Sequence, residues 1–287
     1  MNKKIENTSI IIVSYNSSKK IVKLVKKIPY QTPILIIDNS NDQKLKKIFK
    51  KKNISIYFKK NQGYGSSINY AVKKIKTEYF LVIQPDVIGI NKNSLITFFD
   101  YAKKLKNKFS VIGPHFLNSS KKGHYQTDLK FSIKKIHNVH GSTIFFNKRN
   151  FIKNNGFDEN IFLYWEETDY TKRALKIGLP AFQLNKVKVY HEKGKAVEPK
   201  NLKERDKLKI LYSWHFIWSK YYFYKKHYGK LLANVYFLPI LIRISLRVIF
   251  CKLFKSNNLL KYKYRLNGLI YSFLGKKSSL RLHQIDL

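Results

Sequence analysis

The sequence is poor in cysteine and in acidic residues. Its 287 residues include one cysteine, Cys251, so an internal disulfide framework and a multi-cysteine zinc site are both excluded. Asp and Glu number 17 against 57 Lys and Arg, which gives a formal net charge of +40. Such a surplus predicts attraction to nucleic acid, to an acidic membrane face or to phosphate-bearing substrates. The cysteine usage fits a reducing, cytoplasmic setting.

The amino-terminal region lacks a long apolar run, and no Walker A motif occurs. The apolar run at residues 10–13 is too short for the core of a signal peptide and predicts a first strand. The turn-rich loop at residues 61–67 contains Gly63 and precedes a helical pattern, so it either cradles an anion or makes an ordinary strand-to-helix turn. Because no Gly-Lys-Ser/Thr follows, kinase and ATPase chemistry is disfavoured.

Strand-like and helix-like runs alternate along the first half of the chain. The patterns predict strands at 9–14, 34–37, 54–58 and 80–83, and helices at 19–27 and 68–75. This alternation is typical of a nucleotide-binding α/β domain around a mostly parallel sheet. An apolar fraction of 44% is ample for its core.

Three carboxylates occur within residues 165–169, although the chain as a whole is basic. Glu166, Glu167 and Asp169 lie at the start of a helical pattern that ends at Gly178. The free N–H groups at a helix start favour negative charge, so a capping role and a catalytic role are both open.

Further polar residues follow predicted strands. Asp86 comes after the strand at 80–83, at the carboxyl edge where α/β sheets bind ligands, and it either holds a divalent cation or forms a Pro-Asp turn. Asp38 similarly either caps a turn or contacts a nucleotide. His191 follows an apolar run and is either a structural histidine or a ligand.

Six motifs in sequence order carry a resemblance to a known family. They are Ser14 with Asn16, the 36–40 stretch with Asp38, Gly63 with Asn69, Gln84 with Asp86, the 155–169 stretch, and the 189–191 stretch with His191. Together these motifs, over roughly residues 8–195, resemble glycosyltransferase family 2, and within it the rhamnosyltransferase-like branch.

The resemblance implies a GT-A, Rossmann-like nucleotide-sugar domain, which we assign to residues 1–210, and inverting sugar transfer. It implies Glu167 as the base, with Glu166 and Asp169 as supporting or acceptor-orienting acids. It implies Asp86 as a ligand of Mg²⁺ or Mn²⁺, and His191 as a second ligand or a diphosphate contact. The implied nucleotide-sugar contacts are Ser14, Asn16, Asp38, Gly63, Asn69 and Gln84. Two residues depart from the family pattern: Gln84 replaces the usual acid or Asn, and Glu167 replaces the usual Asp.

The resemblance also implies the substrates. The expected donor is a nucleoside-diphosphate sugar, with deoxythymidine-diphosphate rhamnose favoured and uridine-diphosphate sugars next. The expected acceptor is a hydroxyl of a glycan or of a polyprenyl-diphosphate-linked glycan in cell-surface polysaccharide synthesis.

Residues 211–287 form a basic, aromatic region that we expect to be helical. Its apolar run at 231–254 contains Pro239, which we expect to interrupt it, and near its middle Arg243 and Arg247. Two central arginines cost about 5–7 kcal/mol on membrane-insertion scales, which disfavours a span. We therefore expect a helix lying in the interface of an anionic membrane, peripheral on the inner face of the cell membrane; the alternative is a core helix with snorkelling arginines.

Two other classes of function remain open. An inactive GT-A scaffold is compatible with Gln84, although the three acids at 166–169 favour activity. A nucleic-acid-binding protein would need a recognised module or a basic groove with stacking aromatics, and the aromatic run at 221–224 matches no such motif, so no nucleic-acid partner is expected.

Overall fold

The computed structural model describes residues 3–118 and 129–287. They divide into two compact units. The first contains the residues up to Asp158 together with Glu167–Glu198, and the second contains Glu159–Glu166 with Pro199–Leu287. The domain boundary at residue 210 stays a prediction.

The first unit is built on one sheet, and its strands within the described residues are named here in chain order. They are β1 (Thr8–Ser14), β2 (Ile34–Asp38), β3 (Ile54–Phe58), β4 (Tyr79–Ile83), β5 (Val87–Ile88), β6 (Val111–Phe116), β7 (Ile133–Ile136), β8 (Thr143–Asn147) and β9 (Ala181–His191). The spatial order is β3-β2-β1-β4-β8-β6-β9-β5, and β7 also pairs with β9.

The sheet combines a parallel half with a mixed half. β3, β2, β1 and β4 are parallel to one another, whereas β8 runs antiparallel to β4 and β6. β9 is parallel to β6 and antiparallel to β5 and β7. The parallel half accounts for the alternation of strands and helices in the sequence, because parallel neighbours need crossover connections.

The central strands are apolar without interruption because both faces of the sheet are buried. In β1, Ile10 and Ile12 belong to one hydrophobic cluster while Ile11 belongs to the other. β4 divides in the same way, with Leu81 in the first cluster and Phe80 in the second. Alternate side chains therefore fill two cores, as expected for strands between helical layers.

The helices within the described residues of the first unit include the three that the sequence predicted, at 19–27, at 68–75 and before Gly178, together with four that it did not. They are α1 (Lys3–Glu6), α2 (Ser18–Val25), α3 (Lys44–Ile48), α4 (Tyr64–Lys74), α5 (Lys92–Lys104), α6 (Lys148–Lys153) and α7 (Glu166–Lys176). The α/β class and the predicted strands and helices of the first hundred residues are confirmed.

The second unit is helical, as predicted. It contains α8 (Leu202–Tyr228), α9 (Lys230–Leu253), α10 (Leu259–Phe273) and a short 3₁₀ turn (Leu282–Gln284). A small apolar cluster that includes Ile217, Phe237 and Leu269 joins the three helices. The expectation that Pro239 interrupts the apolar run is wrong, because α9 continues through it.

Candidate functional site

The carboxyl end of β4 places Asp86 in a buried turn. The backbone N–H of Lys195 donates to Asp86 Oδ2 over 3.2 Å, and the N–H of Glu192 donates to the Asp86 carbonyl over 3.0 Å. Asp86 Oδ1 is buried and has no hydrogen-bond partner within the described residues. A buried carboxylate oxygen without a donor is costly unless a ligand or ion satisfies it.

His191, the last residue of β9, lies beside Asp86. Its Nε2 is 3.2 Å from Asp86 Oδ2, and among the described residues neither ring nitrogen makes a hydrogen bond. The backbone fixes the position, because His191 pairs with Val87 and its main chain exchanges two hydrogen bonds with the Asn118 side chain. The structure thus brings the two predicted metal ligands together.

A second imidazole, His140, packs on this pair. Its ring centroid is 4.9 Å from that of His191, with the planes at 72°, and 4.8 Å from the ring of Phe116. His140 Nδ1 accepts the N–H of Ser142 over 3.2 Å. Desolvation lowers the pKa of His140 to about 4, and the adjacent His191 acts in the same direction. The ring is therefore neutral near pH 7, with its proton on Nε2.

Glu167 is the second residue of α7, and its carboxyl lies over the backbone of Gly141. A Cβ added to Gly141 would be 3.3 Å from Glu167 Oε2 and 3.6 Å from Oε1. Burial raises the pKa of Glu167 to about 7, while a backbone hydrogen bond at Glu167 itself acts in the opposite direction. A carboxyl group with that pKa exchanges protons readily at neutral pH, which suits a general base.

Residues 138–142, which precede β8, connect the Asp86 end of the site to the Glu167 end. The Asn138 amide donates to Thr168 Oγ1 of α7 over 2.6 Å, and the Ser142 carbonyl accepts the N–H of Gln84 over 2.8 Å. Between them, His140 packs on His191 and Gly141 lies under Glu167. This 138–142 segment therefore positions the two predicted chemical groups relative to one another.

The other two predicted acids are buried at the start of α7. Asp169 forms an ion pair of 2.7 Å with Arg173 Nε, and Arg173 also donates to the carbonyls of Asn154 and Gly156. Asp169 therefore anchors the loop before α7 through Arg173. Glu166 is also buried. The catalytic roles of Glu166, Glu167 and Asp169 stay predictions.

At the ends of β1 and β2 the structure assembles Ser14, Asn16 and Asp38. Asp38 is fully buried, and its carboxylate accepts the N–H of Asp42 over 2.8 Å and both the N–H and the hydroxyl of Ser40. Ser40 Oγ accepts the N–H of Asn16 over 3.0 Å. Asp38, the last residue of β2, thus shapes the turn that follows it. The Ser14 hydroxyl is buried without a hydrogen-bond partner in the described part of the chain.

The remaining predicted nucleotide-sugar residues lie on two elements. Gly63 precedes α4 with φ of +110°, a conformation that favours glycine, and Tyr64 OH donates to the Gly141 carbonyl over 2.9 Å. The Asn69 amide exchanges two hydrogen bonds, each 2.9 Å, with the backbone of Phe157. The backbone N–H of Gln84 donates to the Ser142 carbonyl, which joins Gln84 to the 138–142 segment. Their roles toward a donor, like those of Ser14, Asn16 and Asp38, stay predictions.

Asp86 and His191 fit a divalent cation that shares its coordination with a substrate. Among the residues that the structure describes, no group of three or more His, Cys, Asp or Glu side chains is arranged to hold a metal. A buried carboxylate oxygen and an adjacent imidazole are nevertheless suitable donors for Mn²⁺, and ions such as Mg²⁺ are commonly held by one or two protein groups plus substrate phosphates. These two side chains therefore suit a cation that is also coordinated by a diphosphate, and not a cation whose ligands all come from the protein.

Sequence reasoning missed the 138–142 segment. His140 and Gly141 stand outside the motifs that indicated the site, and neither a lone histidine nor a lone glycine predicts a contact with residues 26 or more positions away. The available signal was His140-Gly141-Ser142 directly before the apolar run of β8. Only the pairing of β8 with β4 brings that sequence to Asp86.

Comparisons with known proteins agree with this architecture. The family model described as Glycosyl transferase family 2 matches residues 9–165, more than half of the chain. The low-salt glycan biosynthesis hexosyltransferase Agl10 of Haloferax volcanii is 24% identical over 210 residues, covering 65% of this chain and 67% of Agl10. The rhamnosyltransferase-like branch stays a prediction.

Solved structures share the fold. TarS from S. aureus superposes with a TM-score of 0.51 at 22% identity over 71% of this chain, which spans only 39% of that TarS chain. TarS 1–349 with UDP-GlcNAc gives 0.52 at 18% identity, covering 94% of this chain and 92% of that one. The mannosyltransferase PcManGT of Pyrobaculum calidifontis, with GDP-Man and Mn²⁺, gives 0.54 at 11% identity, covering 94% and 88%.

The matched motifs lie on the strand ends and loops described above, and the predicted GT-A fold is confirmed. The chain belongs to glycosyl transferase family 2.

Proposed function

We propose that this protein transfers a sugar from a nucleoside-diphosphate sugar to a hydroxyl of a glycan or lipid-linked glycan, with inversion at the anomeric carbon. The observation that carries the proposal is the 138–142 segment. It contacts the Asp86–His191 pair at one end and the Glu167 carboxyl, with its pKa of about 7, at the other. One end suits the diphosphate, and the other suits the attacking hydroxyl.

The proposed reaction is a single displacement. The acceptor oxygen forms a bond to the anomeric carbon as the bond from that carbon to the diphosphate oxygen breaks. The electron pair of the broken bond leaves on the diphosphate, and the acceptor proton passes to a carboxylate oxygen of Glu167. Such a positioned base typically contributes about two to four orders of magnitude in rate.

Asp86 and His191 would hold Mg²⁺ or Mn²⁺, which neutralises charge on the diphosphate when bound. The backbone around Asp86 is already fixed by the N–H groups of Lys195 and Glu192, so the carboxylate needs little reorganisation. We infer that His140 keeps the His191 ring in place by edge-to-face packing, which makes it a positioning residue rather than a catalytic one.

We also propose which class of nucleotide and sugar the donor contains. Agl10 is described as a hexosyltransferase, the TarS 1–349 structure holds UDP-GlcNAc, and PcManGT holds GDP-Man with Mn²⁺. These relatives support a nucleoside-diphosphate hexose, and the motif resemblance adds deoxythymidine-diphosphate rhamnose. We also propose a role in cell-surface polysaccharide synthesis at the cytoplasmic face of the membrane.

The test is a panel of uridine, guanosine and deoxythymidine diphosphates and their sugars, each with and without Mn²⁺. Thermal stabilisation by one nucleotide class identifies the donor, because a ligand that binds only the folded state raises the melting temperature. Release of the nucleoside diphosphate from the matching sugar establishes turnover. An inactive scaffold would bind without release, and stabilisation by no member of the panel would contradict the proposal.

A further inference from the structure

One face of α9 is apolar and exposed along most of the helix. Val235, Leu238, Ile242, Leu246, Ile249 and Leu253 recur every three or four residues, the spacing of one helical face, and are 52–73% exposed. We call these six residues the apolar stripe. It runs for about 27 Å along the helix. By length and composition α9 is apolar enough to cross a membrane. Only 17% of its most apolar window is buried, so α9 is not a core helix.

The arginines of α9 lie beside the apolar stripe and not within it. Arg243 and Arg247 each follow a stripe residue by one position, which rotates them about 100° around the helix. Arg247 turns toward α10, where its Nη1 donates to Tyr262 OH over 3.1 Å and its guanidinium lies 5.4 Å from the ring centroid. The stripe therefore presents hydrocarbon, with cationic groups along one side.

A third arginine extends this cationic border. Burial lowers the pKa of the guanidinium of Arg265 on α10, and the positive charges of the nearby Arg243 and Arg247 lower it further. The sequence contains no Asp or Glu from Ile210 to Ile285, whereas it contains 14 Lys and Arg there. No acidic residue of this region is therefore available to neutralise the three arginines. An anionic phosphate surface is the group that complements their charge.

An open, shallow depression on α9 has a volume of about 640 Å³, and its lining includes Pro239, Ile242 and Leu246 together with Arg243 and Arg247. This lining is almost entirely apolar, so the hydrocarbon stems of the two arginines border the depression and their guanidinium groups do not. We propose that the apolar stripe of α9 lies in one leaflet of an anionic membrane, parallel to its surface, with the acyl chains against the stripe and the lipid phosphates at the arginines. A helix that is apolar on one face and cationic at its border binds the interface in this way.

A second copy of the chain is a poorer occupant for the same face. Pairing two stripes would bring two arginine borders together without any acid from either region to compensate. A span is disfavoured for a related reason, since it would carry Arg243 and Arg247 into the hydrocarbon. The inference deepens the proposed membrane location but rests on α9 and α10 alone, so nucleotide-sugar binding is measured separately.

The first experiment is co-sedimentation of the intact chain with phosphatidylcholine vesicles that contain either no phosphatidylglycerol or 30% of it. Wild type should bind the anionic vesicles, and added salt should weaken binding only in part because the apolar contribution is not screened. Leu238→Gln, Leu246→Gln and Leu253→Gln combined should lower the partition coefficient roughly tenfold or more, since polar side chains replace buried methyl groups.

The matched control combines Ile48→Gln, Ile152→Gln and Leu175→Gln, which are also exposed apolar side chains on helices. That control should bind vesicles as wild type does, and both triple variants should retain nucleotide-dependent thermal stabilisation. Equal vesicle binding by the two triple variants, or none by wild type, would overturn the membrane proposal and leave the proposed reaction standing.

The arginine border has its own variant and control. Arg243→Gln with Arg247→Gln should reduce the preference for anionic over neutral vesicles. The control, Lys44→Gln with Lys47→Gln on α3, removes the same charge and should leave that preference unchanged. Dimerisation abolished by the stripe substitutions, in place of vesicle binding, would identify a second copy as the occupant and contradict the proposal. Equal loss of lipid preference in both pairs would refute a specific role for the arginines.

Spin labels at positions 235, 242 and 253, each introduced as a single cysteine in a Cys251→Ser background, distinguish the orientation. An interfacial helix places all three labels at one shallow depth below the phosphates. Depths that change steadily along the helix would demonstrate a span and overturn the proposal.

Discussion

Replacing Glu167 by Gln should lower activity and raise stability at the same time. Gln keeps the shape of the side chain beside Gly141 but cannot accept the acceptor proton, so turnover should fall roughly a hundredfold or more. A capping carboxylate would respond differently, because its removal costs stability. The two measurements together therefore separate a base from a cap.

The stability gain follows from the raised pKa of Glu167. Its carboxyl has a pKa of about 7 in the folded protein and 4.5 as its ordinary value. As the pH rises from about 4.5 to about 7, the unfolded chain releases the proton first, so the free energy of unfolding of wild type falls in that window. The loss amounts to at most about 3 kcal/mol and persists above pH 7.

The assay is denaturant unfolding of wild type and Glu167→Gln at pH 4 and pH 8, with Glu159→Gln, at an exposed position, as the control. The Glu167 variant should equal wild type at pH 4 and exceed it at pH 8, while the control should follow wild type at both. In wild type, kcat/KM should rise with pH through about 7 as the base ionises. A variant that is less stable than wild type at pH 8, or that retains near-normal turnover, would refute the assignment.

Three further substitutions test other parts of the site. Asp86→Asn should weaken nucleoside-diphosphate binding by calorimetry in a way that excess Mn²⁺ does not restore; full turnover of wild type in chelator would instead remove the cation from the account. Gly141→Ala places a methyl group 3.3 Å from Glu167 Oε2, so the acid limb of the kcat/KM profile should move to higher pH, and an unchanged profile would contradict that contact. Asp169→Asn leaves the partly buried Arg173 without its ion pair and should cost roughly 3 kcal/mol in urea unfolding. The exposed pair of Asp206 and Lys209 is the comparison, and Asp206→Asn should leave the melting temperature unchanged.

The sequence was sufficient to predict those parts of the fold that follow from local pattern. Uninterrupted apolar runs such as Phe80–Val82 predict strands buried on both faces, and Gly178 marks the end of α7 because a left-handed residue stops a helix. The adjacency of Asp86 and His191 was implied only by the family resemblance. Its physical cause is the pairing of β5 with β9, which joins residues about a hundred positions apart.

Other features of the site depend on packing that no local pattern encodes. The carboxylate of Asp169 reaches Asn154 and Gly156 through Arg173, so its burial reflects the conformation of the preceding loop. The contact between His140 and His191 requires β6, β8 and β9 to be adjacent in the sheet. The apolar run at 231–254 was visible in the sequence, but the contact of Arg247 with Tyr262 of α10 was not.

The measurement that tests the central claim most directly is release of nucleoside diphosphate from the best-binding nucleotide sugar, in the presence of Mn²⁺, by wild type, Glu167→Gln and Asp86→Asn. We predict that wild type releases the diphosphate, that Glu167→Gln binds the donor normally but releases roughly a hundredfold less, and that Asp86→Asn loses both binding and release. Equal release by all three proteins, or the failure of wild type to bind any nucleotide sugar, would contradict the account.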